Sequence, residues 1–234
     1  PDTTLPPLRQ DLHLLPGPPH ADGAPSWRVH DPLRNRFFEL GWLEFEMLSR
    51  WQAGKETAAL CEAVQVQFSH PTFRIYRNAD AIGAEVAGAL KNILGIAAGV
   101  CDGLAVGDNA KAALLTRGLV EIARMGVKLG GRHETFYGLA GVGDVVTTCY
   151  SPFGRNREVG LRIGRGESLS AILETMANVS EGVPTIRSVQ ALAARLGVDM
   201  PITHELHQVL FEGKSPRVAV VDLMTRTPKD EAEL

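Results

Sequence analysis

Residues 88–109 read GALKNILGIAAGVCDGLAVGDN. One lysine, Lys91, stands in a run that is otherwise almost wholly small and apolar: Ala87, Ala89, Leu90, Ile93, Leu94, Ile96, Ala97 and Ala98. A helix apolar on every face is a core helix. An ammonium inside such a helix is costly unless it is paired or gives up its proton. Desolvation is also how a lysine becomes a general base near neutral pH. Lys91, followed by Asn92, is therefore a candidate functional residue. A second reading stays open, in which the lysine stem lies along apolar surface and its head reaches solvent.

Working outward, the pattern predicts a helix over 81–100, capped by Asn78 or Asp80 and broken by Asp102-Gly103 and Gly107-Asp108. Asn109 is a candidate cap for a second helix over 110–129, ended by Gly130-Gly131. A shorter helix is expected over 134–139. The run 145–148 is a strand by propensity. Read instead as a helix after Gly143, it places Asp144 and Thr148 on one face, four residues apart. The loop 152–154 then presents Arg155, Asn156 and Arg157, and guanidinium forks with an amide suit a phosphate. The alternative for this loop is a solvated arginine-rich turn. Further helices are expected over 169–176, 184–196, 201–211 and 215–224.

Upstream the character differs. All three tryptophans lie in the first 51 residues, and half of the 14 prolines lie within 1–25. Residues 1–25 read as an extended proline-rich arm. Residues 26–40 suggest a hairpin, with Asp31-Pro32 opening its turn and Phe37-Phe38 beginning the return. Trp42, Phe45, Leu48 and Trp51 mark one face of a helix over 41–51. Phe73 to Tyr76 is a short strand-like piece.

The 234 residues carry a net charge of −3, with 44% hydrophobic and 22% charged residues, which is ordinary globular composition. Without a basic excess, neither nucleic acid nor an anionic membrane is the expected partner. The longest apolar run, 93–100, is too short to span a bilayer. No signal peptide is visible, although the chain starts at Pro1 rather than Met. Three scattered cysteines lack metal-ligand spacing, so no metal site is expected and a reducing, cytoplasmic setting fits best.

Two resemblances follow. Residues 66–230 resemble the C-terminal, substrate-binding domain of NAD(P)-dependent glycerol-3-phosphate dehydrogenase. The matching blocks are FRIYRNAD (73–80), GALKN (88–92), DGL (102–104), GDNAKA (107–112), TRG (116–118), AGVGD (140–144), TTC (147–149), RNR (155–157), EG (181–182) and MPIT (200–203). They occur in the family's order at near-family spacing. The segments RVHDPLRNRFF (28–38) and GWLEFEMLSRW (41–51) resemble a small winged-helix module. It is the PQQ-chaperone-like segment at the head of some bacterial site-2-protease-like and secretion-adaptor proteins. A plain hairpin-helix cap whose aromatics are simply core is the alternative for this module, set at 26–65.

The first resemblance implies a mainly α fold, like the all-helical C-terminal part of 6-phosphogluconate dehydrogenase, preceded here by a small α+β module. It implies interconversion of dihydroxyacetone phosphate and sn-glycerol 3-phosphate with NAD or NADP, supplying phospholipid synthesis. Lys91 matches the family's proton donor or acceptor. Asn92, Asp144 and Thr148 match positions around the glycerol or the lysine, with Asp144 counted with Lys91 as catalytic. Arg155 and Asn156 match the phosphate-binding pair, and Gly154 stands where bacterial members commonly carry serine. Arg155, Val179 and Glu181 match cofactor contacts.

The family's Rossmann domain, with its strand–turn–helix glycine loop, is not visible in the sequence. Only its last strand, at 73–76, reads as retained. Two classes of function follow. One is an oxidoreductase that depends on a nucleotide-binding unit from elsewhere, through a partner or a homo-oligomer. The other is a non-catalytic ligand-binding or interaction protein. An exposed apolar surface is expected around 93–100 and 142–146.

Overall fold

The computed structural model describes residues 4–20, 23–176 and 180–227. The chain forms two compact units, Pro1–Arg77 and Asn78–Leu234. The fold is mainly α, with ten α-helices and one three-stranded sheet among the described residues.

In the first unit, strands β1 (His13–Pro16), β2 (Trp27–Asp31) and β3 (Arg36–Leu40) form an antiparallel meander in that order. Val29 pairs with Phe38 and Asp31 with Arg36. The Asp31 carboxylate accepts from the backbone N–H of Leu33 and Arg34, and Asn35 closes the turn at φ 47°. Helices α1 (Trp42–Ser49) and α2 (Thr57–Phe68) follow. Trp27 stacks on Phe45 with ring centroids 3.9 Å apart. A small core holds Leu5, Leu60 and Val64 against Met47, Trp51 and Phe68.

Three expectations are corrected here. Residues 1–25 are not a free arm: β1 pairs with β2, Leu5 is buried, and Trp51 Nε1 donates to the Pro6 carbonyl at 2.8 Å. The residues read as an extended arm supply both a strand and a core side chain. The boundary falls at Arg77/Asn78 rather than 65/66, because α2 runs through residue 66 and Gln65 Nε2 donates to the Ile75 carbonyl at 2.8 Å. Phe73 makes one bridge with His70, and residues 74–77 form no strand. A strand needs a partner edge, and none flanks this segment among the described residues.

The second unit is helical and organised around α3 (Ala81–Leu104). Around it lie α4 (Asp108–Lys128), a 3₁₀ turn (His133–Tyr137), a π turn (Leu139–Gly143), α5 (Asp144–Tyr150) and α6 (Arg155–Gly164). Helices α7 (Leu169–Thr175), α8 (Gly182–Leu196), α9 (Pro201–Phe211) and α10 (Pro216–Met224) complete the unit. Helix α3 packs against α4, α5, α6 and α8. With 24 residues and a mean hydropathy of 1.4 over an 18-residue window, it is long and apolar enough to cross a membrane by length and composition alone. In this fold the helix is the core of the unit, and every residue from Ile93 to Cys101 is buried.

The start of α3 is capped by Asp80. Its carboxylate accepts from Gly83 N at 2.9 Å, Arg132 N at 2.7 Å and Thr135 Oγ1 at 2.7 Å. These hydrogen bonds hold its carboxyl below the usual carboxylate range. The end of α3 lies a turn beyond the expected stop at 100. Gly103 breaks nothing: a Cβ there would lie 2.3 Å from the Leu161 carbonyl oxygen and 2.8 Å from Gly164 Cα. At Gly99 a Cβ would meet the Arg157 carbonyl oxygen at 2.0 Å, and at Gly160 the Ile96 carbonyl oxygen at 1.9 Å. Glycines four residues apart on both helices thus form a seam where the backbones of α3 and α6 touch. Helices meeting along i±4 ridges pack in this way, and small residues bring the axes closer.

Gly107, not Asn109, occupies the N-cap of α4. The helix expected over 134–139 is the 3₁₀ turn followed by the π turn. Gly141 lies where a Cβ would overlap the Phe136 carbonyl oxygen at 1.9 Å. The run 145–148 is helical, within α5. Residues 93–100 are fully buried, against the expectation of an exposed patch, because α4, α6 and α8 already cover them. Exposed apolar side chains instead include Tyr137, Leu139, Val146, Tyr150 and Phe153, with Phe153 91% exposed.

Candidate functional site

Lys91 lies in the fourth turn of α3, just before the helix becomes buried all round. Its ammonium donates to Asp144 Oδ2 at 2.6 Å. The lysine side chain is 24% exposed and the aspartate 36%, so the pair sits at a rim. Neither expected reading of Lys91 holds unaltered. The ammonium is partly buried, as the apolar run required, and it is paired rather than isolated. Asp144 opens α5, where a carboxylate is favoured by the helix dipole.

Asn92 and Asn156 meet across the α3–α6 seam. Asn156 Nδ2 donates to Asn92 Oδ1 at 2.9 Å. Asn156 Oδ1 accepts from Ser180 Oγ at 2.6 Å and from Gly182 N at 2.9 Å. Gly95 makes this approach possible, since a Cβ there would lie 2.9 Å from Thr148 Cγ2 and 3.2 Å from Asn156 Cβ. Thr148 is therefore packed beside the same stretch of α3 as Asn156.

Gly154 is the N-cap of α6, and Arg155 and Asn156 are its first two residues. Helix N-termini present unpaired backbone N–H groups that attract anions. Arg155 Nη2 donates to Glu181 Oε1 at 3.1 Å, and both side chains are largely exposed. An exposed pair of this kind holds its partners weakly. Lys91, Asn92, Asp144, Thr148, Gly154, Arg155, Asn156 and Glu181 thus come together on one unit. Val179 lies outside the described residues, as do 228–230 of the expected domain.

Sequence reasoning missed three supporting residues. Ser180 is fully buried and grips Asn156. Asp102 and Lys111 hold Arg157: Arg157 Nε donates to Asp102 Oδ2 at 2.7 Å, and Lys111 Nζ donates to the same carboxylate at 2.9 and 3.0 Å. Arg157 Nη1 also reaches the Ser151 carbonyl at 3.3 Å, tying down the loop before α6. Asp102 and Lys111 stand inside the quoted DGL and GDNAKA blocks, so position gave a signal there. For Ser180 only the adjacent EG pair did.

The fold and site together describe a helical domain with a lysine–carboxylate pair and a helix that opens on an arginine and an asparagine. Residues 80–221 match the family model for the NAD-dependent glycerol-3-phosphate dehydrogenase C-terminus, and the chain belongs to that family. It is 49% identical over 186 residues to the glycerol-3-phosphate dehydrogenase [NAD(P)+] of Citrifermentans bemidjiense, covering 80% of this chain and 56% of that protein. Against the protein of the same name from Methylobacillus flagellatus it is 54% identical over 160 residues, covering 68% and 49%. The crystal structure of glycerol-3-phosphate dehydrogenase from Coxiella burnetii superposes with a TM-score of 0.69 at 40% identity. That match covers 73% of this chain and 52% of the other. The Saccharomyces cerevisiae enzyme gives 0.66 at 27% identity, covering 76% and 51%. The chain spans about half the length of the curated relatives it matches.

Proposed function

We propose that the helical unit is the substrate-binding half of an NAD(P)-dependent glycerol-3-phosphate dehydrogenase, acting on dihydroxyacetone phosphate and sn-glycerol 3-phosphate. The observation that carries this is the Lys91–Asp144 pair at 2.6 Å, on the same unit as the Arg155-Asn156 start of α6. Reducing the ketone places a hydride on carbon and a proton on oxygen. An ammonium beside that oxygen stabilises its developing charge and supplies the proton. Asp144 keeps the ammonium in place, and phosphate held at Arg155 and the α6 N–H groups aligns the carbonyl.

The described residues hold only part of a nicotinamide-nucleotide site. No parallel strand–helix–strand unit occurs among them, and Arg155 and Glu181, two of the three expected contacts, are exposed and only weakly paired with each other. Hydride transfer therefore falls to a nucleotide-binding unit outside these residues. A cytoplasmic setting and a role in supplying phospholipid precursors belong to the same proposal.

A second reading, a non-catalytic interaction protein, is favoured by the exposed Tyr137, Leu139, Val146, Tyr150 and Phe153. The test is NADPH oxidation with saturating dihydroxyacetone phosphate, run beside a melting curve with and without sn-glycerol 3-phosphate. We expect no turnover and a raised melting temperature. Turnover abolished by Lys91→Ala would place a nucleotide site within these residues. Absence of both turnover and stabilisation leaves the second reading.

A further inference from the structure

We infer that Ser180 is a positioning residue of this site, setting the direction of the Asn92 amide through Asn156. The backbone N–H of Gly182 is an obligatory donor, so the Asn156 atom 2.9 Å from it is the amide oxygen. Ser180 Oγ, 2.6 Å from the same oxygen, then donates to it. With its oxygen doubly engaged, Asn156 turns its NH2 group towards Asn92, and the Asn92 atom 2.9 Å away is the carbonyl oxygen. The Asn92 NH2 group is left facing away from Asn156. Among the described residues nothing accepts from it. The site thus keeps a two-proton amide donor free for a ligand oxygen, on the same helix that carries Lys91.

The relay is buried where it must be rigid. Ser180 is 0% exposed and Asn156 8%. Gly182 allows the approach, since a Cβ there would lie 2.7 Å from Asn156 Oδ1 and 2.9 Å from the Asn92 carbonyl oxygen. Gly182 is also the first residue of α8, so Asn156 accepts from that helix's N-terminus. The ordering is therefore backbone to Asn156 to Asn92, with Ser180 as the second lock. A flipped Asn92 amide would instead present a carbonyl oxygen, which repels a ketone or phosphate oxygen. The ligand arm of the test rests on the function proposed above, and the orientation arm does not.

The test uses the full chain with nitrogen-15-labelled side-chain amides. In the wild type, the Asn92 and Asn156 NH2 resonances are expected to be dispersed, with that of Asn156 slow to exchange. Ser180→Ala is expected to shift both and to raise the Kd for sn-glycerol 3-phosphate about five-fold, the usual weight of one hydrogen bond. Ser180→Cys, a weak donor of similar size, is the second variant if the first does not fold. Asn156→Asp keeps the acceptor for Ser180 and Gly182 but removes the donor to Asn92. It removes the Asn156 NH2 resonance altogether and is expected to shift that of Asn92. A lowered denaturation midpoint with an unmoved Asn92 amide in the Ser180 variants overturns the inference and makes Ser180 a purely structural residue. If sn-glycerol 3-phosphate fails to bind even the wild type, the proposed function falls, and the amide resonances still decide the inference.

Discussion

Lys91 Nζ donates to Asp144 Oδ2 at 2.6 Å, joining two residues 53 positions apart in the chain. The pair keeps a cation at the edge of a helix in which every residue from Ile93 to Cys101 is buried. Because both side chains retain solvent contact, the pair contributes little to stability, about 1 kcal/mol or less. Lys91→Ala is accordingly expected to leave the melting temperature nearly unchanged. It should weaken sn-glycerol 3-phosphate by roughly ten-fold or more, the weight of a charge-assisted hydrogen bond. Asp144→Asn, which only loosens the ammonium, should cost a few-fold. Calorimetric titration of both variants checks the order.

Gly160→Ala tests the helix seam. Within a helix, alanine is ordinarily better than glycine by roughly 0.5–1 kcal/mol. Here the added methyl meets backbone on α3 at 1.9 Å, which no rotamer change relieves. Overpacking of this kind costs about 1–3 kcal/mol or more, so the variant should be destabilised. Gly88→Ala is the internal control, because a Cβ there meets nothing within 4 Å. Urea midpoints should fall for the first and rise slightly for the second.

Glu121 predicts a pH dependence of stability. Its carboxylate is buried and accepts from Ile202 N at 2.5 Å and from Thr203 N and Oγ1 at 3.3 and 3.2 Å. Burial outweighs those donors and pushes its pKa up to about 7 from an ordinary 4.5. Between these values the folded chain holds a proton that the unfolded chain has lost. Stability should therefore fall as pH rises from about 4.5 to 7, by on the order of 3 kcal/mol, and then level off. Glu121→Gln should flatten that slope in denaturation curves at pH 5 and pH 8.

Asp80 acts with the opposite sign. Its carboxyl is held below its ordinary value, so its contribution is present above that value and is lost as pH falls through the folded pKa. Asp80→Asn should remove the corresponding part of acid unfolding, below about pH 4. It should also lower the midpoint at pH 7, since one amide cannot replace an acceptor of three hydrogen bonds. Acid titration followed by circular dichroism reads both effects.

Cys101 and Cys149 are buried in the helical unit, and burial raises their thiol pKa values to about 11 and 12. Cys61 keeps partial exposure. Native protein should react rapidly at one thiol and denatured protein at three. Two or more fast thiols in the native state would contradict the burial of α3 and α5.

Lys91, Asn92, Asp144, Thr148, Arg155 and Asn156 were legible because their chemistry is unusual for their surroundings and their order is that of a known family. Most helices of the second unit were legible for a similar reason: apolar spacing and caps such as Asp80 are local signals. The glycines misled. Gly103 reads as a helix stop in one dimension and is a contact point in three, because nothing local tells a breaker from a place where another backbone arrives. The core character of residues 93–100 was legible, but which helices cover them was not, since an apolar run does not name its partners.

What the chain's order of residues carried was the inventory: an amphiphilic lysine in a core helix, an acid four residues before a threonine, an arginine and asparagine presented by a loop. What required the folded chain was their assembly. Backbone contact along the seam between α3 and α6 places Asn156 against Asn92, and Ser180 and Gly182 then fix which end of each amide faces out. Those are contacts between residues 64, 24 and 26 positions apart. No local propensity encodes them, because each depends on the shape of the element it meets.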